Sequence, residues 1–124
     1  MEKKLKAIEE IAWRALSGKR FNDILSELPP IKFYKLTNKS ENHRGFQYVT
    51  GLNIDTQIFY KYINSPGLHF TQEKHIDWWK SNFKNNSIEL LYKRRVIIPD
   101  DAIVYCEYNQ IKANKIILGE REDI

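Results

Sequence analysis

Ser65-Pro66-Gly67-Leu68-His69-Phe70-Thr71-Gln72-Glu73-Lys74-His75-Ile76-Asp77-Trp78-Trp79 compresses a turn, a short strand, a helix cap and an aromatic helix into fifteen residues. Proline presets φ at about −65° and glycine reaches positive φ, so Pro66-Gly67 predicts a turn. Leu68 and Phe70 alternate with His69 at strand spacing. Thr71 is placed to cap a following helix, and Glu73 suits the positive end of that helix. Ile76, Trp79 and Phe83 recur at helical spacing and predict one apolar stripe facing a core. A strand that runs straight into an amphipathic helix points to a mixed fold with few helices.

Upstream, Leu5, Ile8, Ile11, Ala12, Ala15 and Leu16 repeat with helical period and predict a helix over residues 2–16, ended by Ser17-Gly18. A second helix is predicted from Asn22 to Leu28, stopped by Pro29-Pro30. Downstream, Ile31 to Leu36, Phe46 to Val49, Ile88 to Tyr92, Arg95 to Ile98, Ala102 to Tyr108 and Asn114 to Leu118 carry strand signals. Asn38 to Arg44 and Asn109 to Ala113 read as loops, and Gln57 to Ile63 is mixed. The predicted class is therefore α+β. An N-terminal helical pair over 1–30 precedes a compact, mainly antiparallel, β-rich body over 31–124 with one amphipathic helix.

Composition narrows the function classes. The chain has 124 residues, 42 % hydrophobic and 13 % aromatic, enough to bury a core. No run approaches the roughly 18–20 apolar residues of a membrane helix, and the start Met1-Glu2-Lys3-Lys4 has no apolar signal core. Secretion and membrane insertion are not expected. Cys106 is the sole cysteine, so an internal disulfide and a thiolate cluster are excluded, which suits an intracellular setting. Sixteen acids interleave with twenty bases, so a net charge of +4 does not by itself argue for nucleic acid.

Four segments, in order, carry a resemblance. They are Phe33-Tyr34-Lys35-Leu36-Thr37-Asn38 with Glu41-Asn42-His43, then Gly45-Phe46-Gln47-Tyr48-Val49-Thr50-Gly51-Leu52-Asn53-Ile54-Asp55, then Pro66-Gly67-Leu68-His69-Phe70-Thr71. The last runs from Ile98-Pro99-Asp100-Asp101-Ala102 to Lys115-Ile116-Ile117-Leu118-Gly119-Glu120. Over residues 31–121 the chain resembles a small domain of unknown function found in amoebal giant viruses, often N-terminal to ankyrin repeats. Similar domains tend to have Tyr where this chain has His69. The resemblance implies a giant-virus lineage, and with it a place in the host cytoplasm or virus factory. It brings no established reaction.

The chemistry-bearing residues are scattered. His43, His69 and His75, with Cys106, do not make the three or four converging ligands that zinc needs, so no metal is expected. Asn42-His43-Arg44-Gly45 is a polar turn able to meet an anion. Tyr92-Lys93-Arg94-Arg95 is the densest basic cluster, beside Trp78 and Trp79, and predicts weak, non-specific nucleic-acid binding. His43, Arg44, His69, His75, Lys93, Arg94 and Arg95 are thus the binding candidates. Cys106 sits mid-strand without a nearby base and reads as a buried, inert thiol. The Tyr34-Lys35-Leu36 strand, the Gly-Leu-x-Phe-Thr strand before a helix, and a final strand ending in Glu120 also resemble ADP-ribosyltransferase-like folds. That resemblance implies Lys35, Thr71 and Glu120 as a set acting on NAD.

With no complete catalytic constellation, the sequence favours a non-catalytic interaction or assembly module without a cofactor. Its expected partner is another protein or a second copy of the chain, contacted through residues 2–16.

Overall fold

The computed structural model describes residues 14–59, 66–85, 89–107 and 110–124, the side chains of 83–85 excepted. The chain is mostly β. Strands β1 (Ala15–Ser17), β2 (Phe33–Thr37), β5 (Gly51–Ile54), β6 (Leu68–Gln72), β7 (Tyr92–Ile97), β8 (Ile103–Cys106), β9 (Ile111–Ala113) and β10 (Lys115–Asp123) form one sheet in the order β1-β8-β9-β6-β2-β7-β10-β5. β3 (Asn42–His43) and β4 (Phe46–Gln47) make a separate hairpin. All the described pairs are antiparallel. Two short α-helices complete the described residues, α1 (Gly18–Ser26) and α2 (Ile76–Asn85), the latter preceded by a 3-10 turn over Glu73–His75.

This corrects the predicted α+β class and its N-terminal helical pair. Residues 1–13 lie outside the described residues, but Ala15, Leu16 and Ser17 are strand, paired with Tyr105, Val104 and Ile103. Ala-Leu-Ser is compatible with either state, and pairing with an open sheet edge decides it. Ser17-Gly18 starts a helix instead of ending one. The Ser17 hydroxyl accepts from the Arg20 N–H at 3.1 Å, an N-cap contact. Gly18 is needed for close approach, since a Cβ there would collide with the Pro99 carbonyl oxygen. Asn22 lies inside α1, and its amide donates to the Ile98 carbonyl at 2.8 Å.

Alternation along β2 and β7 separates two faces. On the inner face, Phe33 and Val96 join a core with Phe21 and Ile24 of α1, Leu68 and Phe70 of β6, Val104, Ile111, Ile116 and Leu118. Phe33 lies edge-on to Phe70 at 5.7 Å and tilted to Phe21 at 5.6 Å, arrangements favoured by aromatic quadrupoles. On the outer face, Tyr34 and Leu36 pack with Ile76, Leu90, Trp79 and Ile124. The aromatic stripe of α2 is only partly as predicted: Ile76 is buried, Trp79 half-buried and Trp78 exposed. The Phe83 side chain lies outside the described residues. Thr71 belongs to β6 instead of capping a helix, and Gln72 takes the position before the 3-10 turn. Ile111–Ala113 is a strand where a loop was expected.

The Lys112 side chain is fully buried in the middle of β9. Its ammonium donates to the Pro66 carbonyl at 3.1 Å and lies 4.6 Å from the Phe59 ring. A Cβ on Gly67 would meet the Lys112 stem at 2.8 Å. Glycine therefore lets Pro66-Gly67 sit down on the sheet, where the two residues wall the cleft described next.

Candidate functional site

The ladder between β2 and β6 holds only two residue pairs, Phe33 with Gln72 and Tyr34 with Thr71. Beyond them β2 continues along β7, and β6 continues along β9. A cleft of about 620 Å³ opens where the two strands part company. Lys35 and Leu36 line one side; His69, Phe70 and Thr71 line the other. The β3–β4 hairpin contributes His43, Arg44 and Phe46, and Tyr48 follows from the next segment. Trp79, Leu90 and Asp55 complete much of the wall. The hairpin turn has positive φ at both Arg44 (53°) and Gly45 (85°), the geometry that matches the twist of paired strands. Asn42 steadies it, its side-chain oxygen accepting from the Gly45 N–H at 3.1 Å.

Lys35 and Arg94 stand directly opposite each other in the β2–β7 ladder and share the inner face. Arg94 is fully engaged. It donates to both Glu41 carboxylate oxygens at 2.7 and 2.9 Å, to the Thr50 hydroxyl at 2.8 Å and to the Gly119 carbonyl at 2.9 Å. The Thr37 hydroxyl adds a donor to Glu41 at 2.9 Å. The Arg94 guanidinium holds the Glu41 carboxyl below the usual carboxylate range, and Glu41 raises Arg94 in return. Lys35 is as deeply buried, at 6 % exposure, with no such partner. Among the described residues its ammonium meets only the face of Tyr48, 4.6 Å from the ring centre. Burial pulls its pKa down to about 7, because the charged form has lost its water.

His43 stands beside it, edge-on to Tyr48 at 5.6 Å. Its Nε2 is buried and has no hydrogen-bond partner among the described residues. Burial first, then the Lys35 charge, brings its pKa down to about 4. Burial also raises the Tyr48 phenol well above its ordinary value. The cleft thus sets a poorly solvated amine, an imidazole with an unpartnered nitrogen and several aromatic side chains around one space. A guanidinium, Arg44, lines the same space.

The other expected site residues are distributed differently. Thr71 and His69 line the cleft with Lys35, but Glu120 is exposed on β10 and is not part of the lining. His75 sits in the 3-10 turn, also outside the lining. Lys93, Arg94 and Arg95 do not make one basic patch: Arg94 turns inward to Glu41, while Lys93 lies 5.0 Å over the outer-face Tyr34 ring and Arg95 is exposed. Cys106 is buried, and burial pushes its thiol up to about 12. Among the described residues, no group of three or more His, Cys, Asp or Glu is arranged to hold a metal. No described helix is long and apolar enough to cross a membrane. Tyr48 and Phe46 were missed as cleft residues. The signal for them was the β-rich Phe46-Gln47-Tyr48-Val49 stretch directly after a two-residue turn.

Comparison with known proteins adds lineage. The chain is 34 % identical over 102 residues to a protein of Acanthamoeba polyphaga mimivirus named as an ankyrin repeat protein. The match covers 74 % of this chain and 47 % of the relative, so the chain spans about half the relative's length. The giant-virus similarity expected from the motifs is thus present in sequence. No protein-family model matches the chain. No solved structure matches it either.

Proposed function

We propose that this chain is a non-catalytic binding module of giant-virus type whose working surface is the β2–β6 cleft. Its ligand is a small anionic molecule with a planar ring, of the nucleotide class. One observation carries the reading: Lys35 and the Nε2 of His43 are both buried at the cleft without a hydrogen-bonding partner of their own among the described residues. A buried polar group left unsatisfied costs stability, on the order of 1–3 kcal/mol, so such groups mark places where a ligand completes the structure. An anion would answer Lys35 and Arg44, the imidazole would exchange a hydrogen bond with a ligand hydroxyl or N–H, and Phe46 and Trp79 offer aromatic contact.

The relative's name adds a context for such a module. Ankyrin repeats in a protein with a similar region suggest a ligand-reading unit coupled to a protein-binding array, acting in the host cytoplasm or virus factory. The small-domain resemblance and self-association through residues 2–16 belong to the same proposal; most of that segment lies outside the described residues. Nucleic-acid binding is the weaker reading, because the central arginine of the basic cluster is committed to Glu41.

An ADP-ribosyltransferase-like activity is the second reading. It is favoured by Lys35 and Thr71 sharing one cleft and opposed by Glu120 standing outside it. Thermal-shift and calorimetric titrations with AMP, ADP-ribose, NAD and inorganic phosphate separate the cases. The binding reading expects stabilisation by at least one nucleotide, lost in Lys35→Met, with NAD recovered intact by NMR. Consumption of NAD would move the chain to the enzyme reading. No shift with any probe would sink the cleft as a nucleotide site.

A further inference from the structure

The Lys35 environment supports chemistry beyond charge recognition. Among the described residues its ammonium has no carboxylate partner and lies against an aromatic face, and its strand neighbour Arg94 already holds Glu41. It lines a cleft with room for a ligand, beside an imidazole whose Nε2 has no hydrogen-bond partner among the described residues. We propose that Lys35 captures an aldehyde or ketone ligand covalently and reversibly, as an imine, with His43 moving the protons. This inference rests on the cleft being a ligand site and names a reactive group that such a ligand carries.

Each step balances without an oxidant or reductant. The Lys35 Nζ lone pair attacks the carbonyl carbon; the C–N bond forms and the carbonyl π pair moves to oxygen. Nζ loses a proton to His43, which returns it to oxygen, giving the carbinolamine. The C–O bond then breaks as a second proton reaches oxygen from solvent, and water leaves. The nitrogen lone pair closes the C=N bond, and the resulting iminium gives its N–H proton back to solvent. Overall one amine and one carbonyl give one imine and one water. His43 lines the same cleft and its Nε2 has no hydrogen-bond partner among the described residues, so a small turn of the ring lets it take a proton from nitrogen and return it to oxygen. Arg44 lines the cleft as well, so the preferred carbonyl compound bears a negative group.

Selectivity comes from the protonation state. Surface lysines titrate near 10.4, so at pH 7 only about one in 10³ is a free amine. Lys35, drawn down to about 7 by burial, is a free amine in a large share of molecules at that pH. Lysine is the residue type whose pKa shifts this way when desolvated, and nucleophilic lysines exploit it.

The test uses the full chain with pyridoxal 5′-phosphate, an aldehyde with a phosphate, followed by borohydride reduction and peptide mass mapping. Lys35 is expected to carry the reduced adduct at least tenfold above every other lysine peptide, at no more than one per chain. Lys35→Arg, which keeps the charge and removes the nucleophile, is expected to abolish that adduct, and His43→Gln to slow it tenfold or more. Adducts spread evenly over many lysines of the wild-type chain would overturn the proposal, whatever the variants do. Nucleotide-induced thermal shifts that persist while Lys35 stays unlabelled would overturn the imine and leave the anion site standing.

Discussion

Lys35 and Arg94 occupy facing positions in one ladder, on one face, at nearly equal burial, and the protein treats them differently. Arg94 makes four hydrogen bonds, two of them to one carboxylate. Among the described residues the Lys35 ammonium has no hydrogen bond and lies against an aromatic ring. A buried charge is tolerable when it is paired and hydrogen-bonded, and costly otherwise. The Arg94 region is therefore scaffold. It ties the turn before β3 to the sheet centre through Glu41, which itself holds a left-handed backbone (φ 54°). The Lys35 region is where the fold carries an uncompensated group, and uncompensated groups cluster at working sites.

The comparison breaks first at Glu41. Glu41→Ala leaves Arg94 buried and unpaired, and urea melts are expected to show a loss of about 3–5 kcal/mol. An unchanged midpoint would mean that Arg94 finds water, and the scaffold reading would fail. The pH sign follows from Glu41's depressed pKa: the pair's contribution is present above the unfolded carboxylate range and is lost as pH falls through the lower folded value.

Lys35 is expected to respond in the opposite sense. Lys35→Met removes a desolvated ammonium and keeps an unbranched apolar stem, so the ligand-free protein should gain about 1–4 kcal/mol. Between pH 7 and 9 the unfolded chain still binds the lysine proton while the folded chain releases it near 7, so wild-type stability should rise with pH there. Lys112, also depressed by burial, contributes in the same direction. The difference between wild type and Lys35→Met isolates Lys35. Equal slopes in the two proteins would show that Lys35 keeps its proton on folding.

How much of this was legible follows the range of the interactions. The Pro66-Gly67 turn and the Leu68–Phe70 alternation are local chemistry, and they led correctly to β6. β1 was not legible, since Ala15-Leu16-Ser17 fits a helix as well as a strand and only the β8 edge chooses. β9 was hidden because its central residue is Lys112, polar by type yet fully buried by its contacts with Pro66 and Phe59. Lys35 and Thr71 were brought together only by the ADP-ribosyltransferase-like resemblance. The Arg94–Glu41 bond was not legible: it spans 53 residues and turns a residue of the basic cluster into a structural one. Glu120 failed to join the cleft lining for the related reason that strand order, not chain order, decides neighbours.

A finer cut at the scaffold is Thr37→Val. Thr37 is fully buried and its hydroxyl donates to Glu41 at 2.9 Å. Valine keeps the shape, removes that donor and leaves both Arg94 bonds to Glu41 in place. The expected loss is about 1 kcal/mol, the net worth of one intramolecular hydrogen bond. A loss as large as that of Glu41→Ala would mean that Thr37 sets the carboxylate's position, making the hydroxyl the organiser of the pair.

The smallest expected effect belongs to Arg95. It alternates to the exposed face while Arg94 turns inward, and Tyr34 is its ladder partner across β2. Arg95→Gln is expected to change stability by no more than about 0.5 kcal/mol, as exposed substitutions usually do. It should also leave nucleotide shifts at the cleft unaltered, since Arg95 is not part of the lining. Its reach is to nucleic acid. If Lys93 and Arg95 contact phosphates from the outer face, anisotropy titrations with single-stranded oligonucleotides should weaken on substitution, and the salt slope should fall by about one counterion. An affinity unchanged by Arg95→Gln but lost in Lys35→Met would place oligonucleotide ends in the cleft, and the outer face of β2 would then take no part in binding them.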